Sequence, residues 1–568
     1  NGVFKFCYSK ISIMKKIYIF FIILFSYSLT SQTNDKDVAC SWTGNGDGTT
    51  WSSATNWTSC NESYPSGDNA QATFGGNVAS ANRTITIDQD ISLRQMKIGG
   101  SYSTPDWVFE SESGETNTIT FTGGDSSNSV YEIIQYNRGN VDLTFNANVT
   151  FNHGNSSEKR VRLGTNSHNN NAMTFGGTLT LTHNLQFQFN KVGHSVTFNG
   201  PIVMANAARV LRLLDYHTVT FGTNVDMSNF TGNLYFNVGN GAYTGGTAGS
   251  ITVNGDVKAK NIRLAASDMT INTTGSITAT NGTAGNNVIS SDGSGKIILK
   301  TSQSNSGSII ATNDNNGYTL DFVRTLDSDS EITLLGIPVT NEDIQDLITN
   351  GNLRSKGTKS FLGYFDNSSS TYSYYDSSGN SGFLGSGTNS GNRNLTAATG
   401  FIISPDGSGS KDITISGTTT SQSSAETFTV YKESGTYGAY QLVGNPFPAY
   451  VALNQQADAD SSDNFLSHNT LVLDDSYEQI WAWDGSQWNV YNQSSTDVKH
   501  IAPGEGFFIR LPSTSSDGSA LSITFNESMQ KTGSFRNFNA STANGSAIVN
   551  KAVVRIKVTD LETKEFDK

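Results

Sequence analysis

Apolar and polar residues alternate in short runs along most of the chain, and Gly, Asn, Asp and Ser bound the runs. That is the period of a half-buried β-strand. Between about residues 84 and 312 the runs repeat one phrase. LTFNANVTF begins at Leu143, MTFGGTLTL at Met173, VTFNGPIVM at Val196, VTFGTNVDM at Val219, ITVNGDVKA at Ile251 and MTINTTGSITA at Met269. Each is apolar-Thr-apolar, then a small polar corner, then a second short strand. The spacings of 30, 23, 23, 32 and 18 residues predict coils of a parallel β-solenoid with loops of different length. A series of β-sandwiches would also give short strands and turn clusters, but has no reason to repeat the same phrase. The one good helical pattern is TNEDIQDLITNG, 340–351. Thr340 is placed to cap it, Ile344, Leu347 and Ile348 line one face, and Gly351 ends it.

A longer repeat follows. LLGIP at 334–338 matches LVGNP at 442–446, YFDNS at 364–368 matches AWDGS at 482–486, and TGFII at 399–403 matches EGFFI at 505–509. Three anchors in one order at similar offsets predict two related β-sandwich-like domains, 317–424 and 425–530. Pro446 and Pro448 in LVGNPFPAYVAL then mark a strand end, because proline fixes φ and lacks an N–H. The expected organisation is all-β. Residues 1–31 are an upstream extension and leader, 32–83 a Trp-rich cap and 84–316 the solenoid. The two related domains follow, and 531–568 are a linker and the start of a further, truncated β-domain.

Composition adds location. Met14-Lys15-Lys16, the apolar run IYIFFIILFSYSL and Thr30-Ser31-Gln32 have the order of a secretory leader cleaved after Ser31. The run is short of the roughly 20 residues of a membrane span, although an anchor is the alternative reading. No second run of that kind follows, so no membrane span is expected in the mature chain. Charged residues make up only 15%, which leaves Asn, Ser, Thr and Gly to cover the surface. The net charge of −13 argues against a nucleic-acid partner. Cys40 and Cys60 remain after leader removal, and in an oxidising compartment they read as a disulfide. Two cysteines with no histidine between them fall short of a metal site.

LVGNPFPA, then IWAWDGSQWNVYN, then IAPGEGFFIRL together resemble a β-rich module common in secreted flavobacterial (Bacteroidetes) proteins. There the module stands just before a C-terminal sorting domain of the type IX secretion system. WTGNGDGTTWSSATNW, with PSGDNAQATFGG after it, resembles the opening of β-helical surface proteins with autotransporter-like strand repeats. The resemblance implies export, with the secretion machinery as a transient partner, and carries over no catalytic residues.

Chemistry-bearing constellations are few. An enzyme acting on polysaccharide would need carboxylates on one face of the solenoid. From Lys159 to Leu214 there is no Asp or Glu, while Arg160, Arg162, Lys191, Arg209 and Arg212 fall there. This locally basic stretch is either a face for an anionic glycan or scattered solvated charge. His194 and His217 each precede a Val-Thr-Phe strand, and His153 and His183 each follow a strand. Both pairs are expected to stack on adjacent coils as ladders rather than as a metal site. DADSSDNF, 458–465, has the spacing of a loose Ca²⁺ loop but lacks the Gly and closing Glu of an EF-hand, which favours a solvated loop. No other cofactor is indicated. Trp481, Trp483, Trp488 and Tyr491 crowd one hairpin. Trp483 aligns with Phe365 and is expected in the core. Trp481 aligns with Gly363, which makes Trp481, with Trp488 and Tyr491, the candidates for contact with sugar. The sequence therefore predicts a secreted, cell-surface structural or adhesin-like protein without enzymatic activity. Its partner would be an extracellular glycan or another cell surface. The rival reading is a polysaccharide-binding or polysaccharide-degrading β-helix.

Overall fold

A computed structural model describes residues 39–538 except for intervening stretches, of which 377–395 is the longest; residues 1–38, which include the leader-like segment, and nearly all of 531–568 lie outside the described residues. The chain is nearly all β. A parallel β-solenoid with three faces leads into β-sheet domains. One coil shows the plan: strand Leu143–Phe145 lies on the second face, Asn148–Phe151 on the third and Lys159–Leu163 on the first. The first face is an 11-stranded sheet and the second a 12-stranded sheet. The third is a five-stranded and a three-stranded sheet, linked through single bridges at Met204–Phe230 and Asp226–Asp256.

The six repeated strands pair in parallel and in one register. Leu143, Met173, Val196, Val219, Ile251 and Met269 follow one another rung by rung. Side chains alternate along a strand, so the two apolar residues of each phrase point inward and its Thr points outward. In four successive phrases the inward residue after the Thr is Phe, and with Phe109 of the preceding coil these build a column of rings. Phe109, Phe145, Phe175, Phe198 and Phe221 stack with centroids 5.1, 5.4, 5.7 and 5.4 Å apart. The corner needs small residues. A Cβ on Gly176 would lie 2.6 Å from Asn146 Oδ1, and one on Gly200 would lie 2.4 Å from the Gly177 carbonyl oxygen.

The start of the stack is covered, and at the far end so are the second and third faces, while the first face ends on strand Ile289–Ser291, whose one partner among the described strands is Ile262–Leu264. At the start, strand Ala39–Trp42 pairs in parallel with Gln71–Phe74, which pairs with Gln95–Ile98. The first face thus begins within the Trp-rich segment. Trp42, Trp51 and Trp57 are buried around Phe74, with Trp42 and Trp51 each edge-on to Trp57. Cys40 and Cys60 lie at disulfide distance, with Cα atoms 4.8 Å apart. Asn56 fastens the loop between them. Its Oδ1 accepts from Gly46 N and Gly48 N, and its Nδ2 donates to Asp47 Oδ1 and the Thr50 carbonyl.

At the other end, strand Lys411–Thr419 closes the second face by pairing antiparallel with Thr319–Leu326. The last strand of the third face, Ser308–Ala311, meets side chains and a turn instead. Ile309 N donates to the Pro448 carbonyl at 2.6 Å, and Ala311 N donates to Gln422 Oε1 at 3.0 Å. Pro446 and Pro448 therefore do more than end a strand: the turn they make is a lid on the solenoid. Asn445 holds that turn, donating to the carbonyls of Ala449, Ile501 and Ala502 while accepting from Phe447 N. Phe447 is fully buried.

The two anchored segments have the same strand order. In the first, Thr333–Leu335 pairs with Phe401–Ile403, which pairs with Lys359–Asp366, which pairs with Thr371–Asp376. In the second, Tyr440–Gly444, Gly506–Arg510, Gln479–Trp483 and Trp488–Asn492 do the same. The hairpin turns also match. Asp366 Oδ1 accepts from the N–H groups of Ser368 and Ser369, and Asp484 Oδ1 from those of Ser486 and Gln487. The LLGIP and LVGNP strands are not the first of their copies. Each is preceded by a strand, Thr319–Leu326 or Glu426–Tyr431, that pairs with a late one, Lys411–Thr419 or Ala520–Phe525. The helix also starts later, at Ile344–Asn350. Asp343 caps it through Gln345 N, because Thr340 is bound into a strand and donates to the Thr418 carbonyl.

The copies pack face to face. Leu334, Tyr372 and Ile402 of the first share a core with Leu442, Trp481 and Phe508 of the second. Phe365 and Trp483, expected inside, are half-buried at its margin, with the Phe365 ring 5.1 Å from Phe508. The contact is reciprocal. Gly444 N donates to the Ala398 carbonyl and Gly336 N to the equivalent Gly504 carbonyl. Thr399 bridges Val443, and Leu335 bridges Glu505. Gly336 and Gly444 meet at the centre, where a Cβ on either would lie 2.7 or 2.3 Å from the other's Cα. The pair thus has an approximate twofold relation.

Candidate glycan-contact surface

The first face carries the arginines. On each of its strands the apolar residues point inward, as do Val161, Phe187, Leu211, Leu213 and Leu234, which are fully buried. The residues between them point outward. Register then sets Arg160, Gln186, Arg212, Tyr235 and Arg263 in a single row across five strands. A second row beside it runs Lys97, Gln135, Arg162, Gln188.

The rows are tied by charge and by rings. Arg162 Nη1 lies 3.0 Å from Glu132 Oε1, and Arg212 pairs with Glu158. The basic stretch is therefore partly neutralised, Arg162 by an acid one coil earlier and Arg212 by an acid two coils earlier. Arg160 lies over the Tyr131 ring at 4.5 Å, and Arg212 and Arg263 flank the Tyr235 ring at 5.7 and 6.0 Å. A planar guanidinium beside a ring is held flat, and each arginine has five donors, so one ion pair leaves others for a ligand. Sequence reasoning missed Tyr131, Tyr235 and Arg263. The signal was present in spacing, since Tyr235 stands 23 residues after Arg212 and Arg263 a further 28.

The other sequence candidates separate. Arg209 sits at a corner, away from the row. Burial and its charge together push the His183 imidazole down. Lys191 lies outside the described residues. His153 and His183 form a ladder as expected from spacing, with rings 4.8 Å apart, and the backbone of His194 is in register with that of His217. His194 Nδ1 accepts from Asn171 N. Beside them Lys159 is turned inward and buried, donating to the Val130 carbonyl and to Ser129 Oγ; burial pushes its pKa down.

Trp481 is not an exposed contact. It is 2% exposed, inside the core between the two copies and 5.3 Å from the Tyr440 ring. The reason is a cross-strand exchange of volume. Gly363 faces Tyr374, whose ring would lie 2.8 Å from an added Cβ, whereas Trp481 faces the smaller Val490. Trp488 packs on Trp483 and Phe508 in the same core, while Tyr491 points to the other side of its sheet and stacks on Phe538 at 4.9 Å. The three make no common platform.

In 458–465 the acids serve their own backbone. Asp458 accepts from Asp460 N and from Lys531 Nζ at 2.7 Å, and Asp460 accepts from Ser462 N. Asn464 donates to the carbonyls of Asp458 and Asp460 and caps the helix Phe465–His468. These bonds hold the Asp458 carboxyl low, the Lys531 contact most strongly. Among the described residues, no three or more His, Cys, Asp or Glu side chains are grouped to hold a metal ion. No helix among them is long and apolar enough to cross a membrane. No family model matches the chain, and neither a curated protein nor a solved structure matches it.

Proposed function

We propose that the chain is a secreted, cell-surface protein of structural or adhesin-like role, in which the solenoid is a stiff spacer and the paired domains its base or head. The observation that carries this reading is the covering of the solenoid at its start by the Trp cluster and, on two of its three faces, at its far end by the turn at Pro448 and the strand Lys411–Thr419. A solenoid left open offers strand edges to other chains, and these covers favour a discrete rod over a filament seed. The leader-like segment and the Cys40–Cys60 pair support export. The reading assigns the chain no catalytic step. The test is fractionation of the source cells with an antibody to the solenoid, before and after protease treatment of intact cells. Surface or medium signal that intact-cell protease removes is the expected result; retention in the cytoplasm overturns it.

A second reading, contact with polysaccharide, is favoured by the outward row Arg160, Gln186, Arg212, Tyr235 and Arg263. Rows of flat, hydrogen-bonding side chains at strand spacing suit an extended polymer of sugars better than a folded protein partner. The two readings are compatible, since an adhesive rod needs a contact surface.

A further inference from the structure

From the row on the first face we infer the class of polymer it takes: an extended acidic polysaccharide with one carboxylate for every two sugars, lying along the rod axis. The inference rests on the polysaccharide-contact reading above and goes beyond it in naming charge density and direction.

The argument is one of period. Arg160, Arg212 and Arg263 occupy every second rung of the row, with Gln186 and Tyr235 on the rungs between. Strands in a sheet are about 4.8 Å apart, so a guanidinium recurs about every 9.6 Å. An extended polysaccharide of equatorially linked rings advances by nearly one strand spacing per sugar. A chain laid along the rod therefore meets one arginine per two sugars, and a neutral side chain at each sugar between. A guanidinium binds a carboxylate through two parallel N–H donors, which fixes the polymer in register as well as attracting it. Gln186 is 6% exposed and adds no charge at its rung, and Tyr235 offers a ring for the apolar face of a sugar. Charge complementarity points the same way, because this row is cationic in a chain of net charge −13. The nearby Glu132 and Glu158 each engage one arginine and hold it in place. A polymer with a carboxylate on every sugar would set half its charges against Gln186 and Tyr235 and against those two acids.

The test measures binding of the full chain to immobilised hyaluronan, polygalacturonate and dextran, which carry a carboxylate on every second sugar, on every sugar and on none. Hyaluronan binding should be tightest, should weaken as salt rises and should be absent on dextran. The double variant Arg212→Gln/Arg263→Gln keeps flat side chains in the row and should bind hyaluronan at least tenfold more weakly. Arg209→Gln, off the row, should stay within twofold of the parent and so reports on folding of the same coils. Equal or tighter binding to polygalacturonate overturns the inference on spacing. Binding to dextran that the double variant leaves unchanged overturns the row while the broader polysaccharide reading stands. No binding to any of the three overturns both, and leaves the spacer role to the fractionation experiment.

Discussion

The solenoid and the paired domains solve one problem in two ways. Both are built by repetition of a β unit. In the solenoid the units are related by translation, so each offers its neighbour a different surface from the one it receives. Such a stack never closes by itself, and this one is stopped by tryptophans at one end and by Pro448, Gln422 and an antiparallel strand at the other. In the pair the units are related by an approximate twofold, so each receives what it gives. Gly336 meets Gly444, and the Ala398 carbonyl answers the Gly504 carbonyl. The pair closes on itself and needs no cap. Translation tolerates loops of any length between coils, whereas the twofold demands that two sequences stay matched at their shared centre.

The largest expected effect lies in the translated part. Phe175→Ala opens a hole in the ring column between Phe145 and Phe198 and should cost about 3–5 kcal/mol. Hydrogen exchange should rise in the coils on either side and stay low in the paired domains. Equal loss of protection in both would break the comparison. Cys60→Ser removes the tie on the first cap and should cost about 3 kcal/mol for a loop of 20 residues. Its damage should be confined to the first coils, read by proteolysis.

The twofold predicts reciprocity. Gly336→Ala and Gly444→Ala each force a methyl against the facing backbone and should cost about 1–3 kcal/mol apiece. Because they spoil one contact, the double variant should cost less than the sum, measured by denaturant unfolding. Strict additivity would mean that the two glycines do not share a contact.

His500 tests the second copy against pH. It stacks on Phe535 at 3.7 Å, and burial, with a smaller push from Lys531, lowers its pKa to about 4. The unfolded chain then takes up this proton first, so stability should fall as pH drops from about 6.5 through about 4. In His500→Gln that part of the acid sensitivity should vanish. The smallest effect concerns Ala398 and Gly504, which hold equivalent corners at φ of 61° and 68°. Only glycine takes that region without strain, so Ala398→Gly should stabilise the first copy by up to about 1 kcal/mol. A loss on thermal melting would show that the two corners are not equivalent.

How far the sequence disclosed this follows from which contacts are local. The solenoid was legible because each rung meets another rung with the same phrase, so Leu143, Met173 and Val196 announce their register by repetition. The duplication was legible for the same reason. The face-to-face packing was not, since nothing in LLGIP or LVGNP says that their glycines touch. Trp481 was misread because alignment with Gly363 compares single positions, while the packed unit is the cross-strand pair Gly363–Tyr374 against Trp481–Val490. The arginine row was half legible. Arg160 and Arg212 stood out by charge, but Tyr235 and Arg263 join them only once register is known, and of the two acids Glu158 sits just outside the acid-free stretch and Glu132 a coil before it.

Strand Thr319–Leu326 belongs to both architectures. On one side it is the last parallel rung of the second face, beside Ile297–Thr301; on the other it pairs antiparallel with Lys411–Thr419 along its whole length. A tug on the paired domains along that strand would have to slide two ladders at once, in shear, rather than peel bonds apart one after another. The rod and what it bears have no swivel between them at this strand, so load and orientation pass from one to the other as through a welded joint.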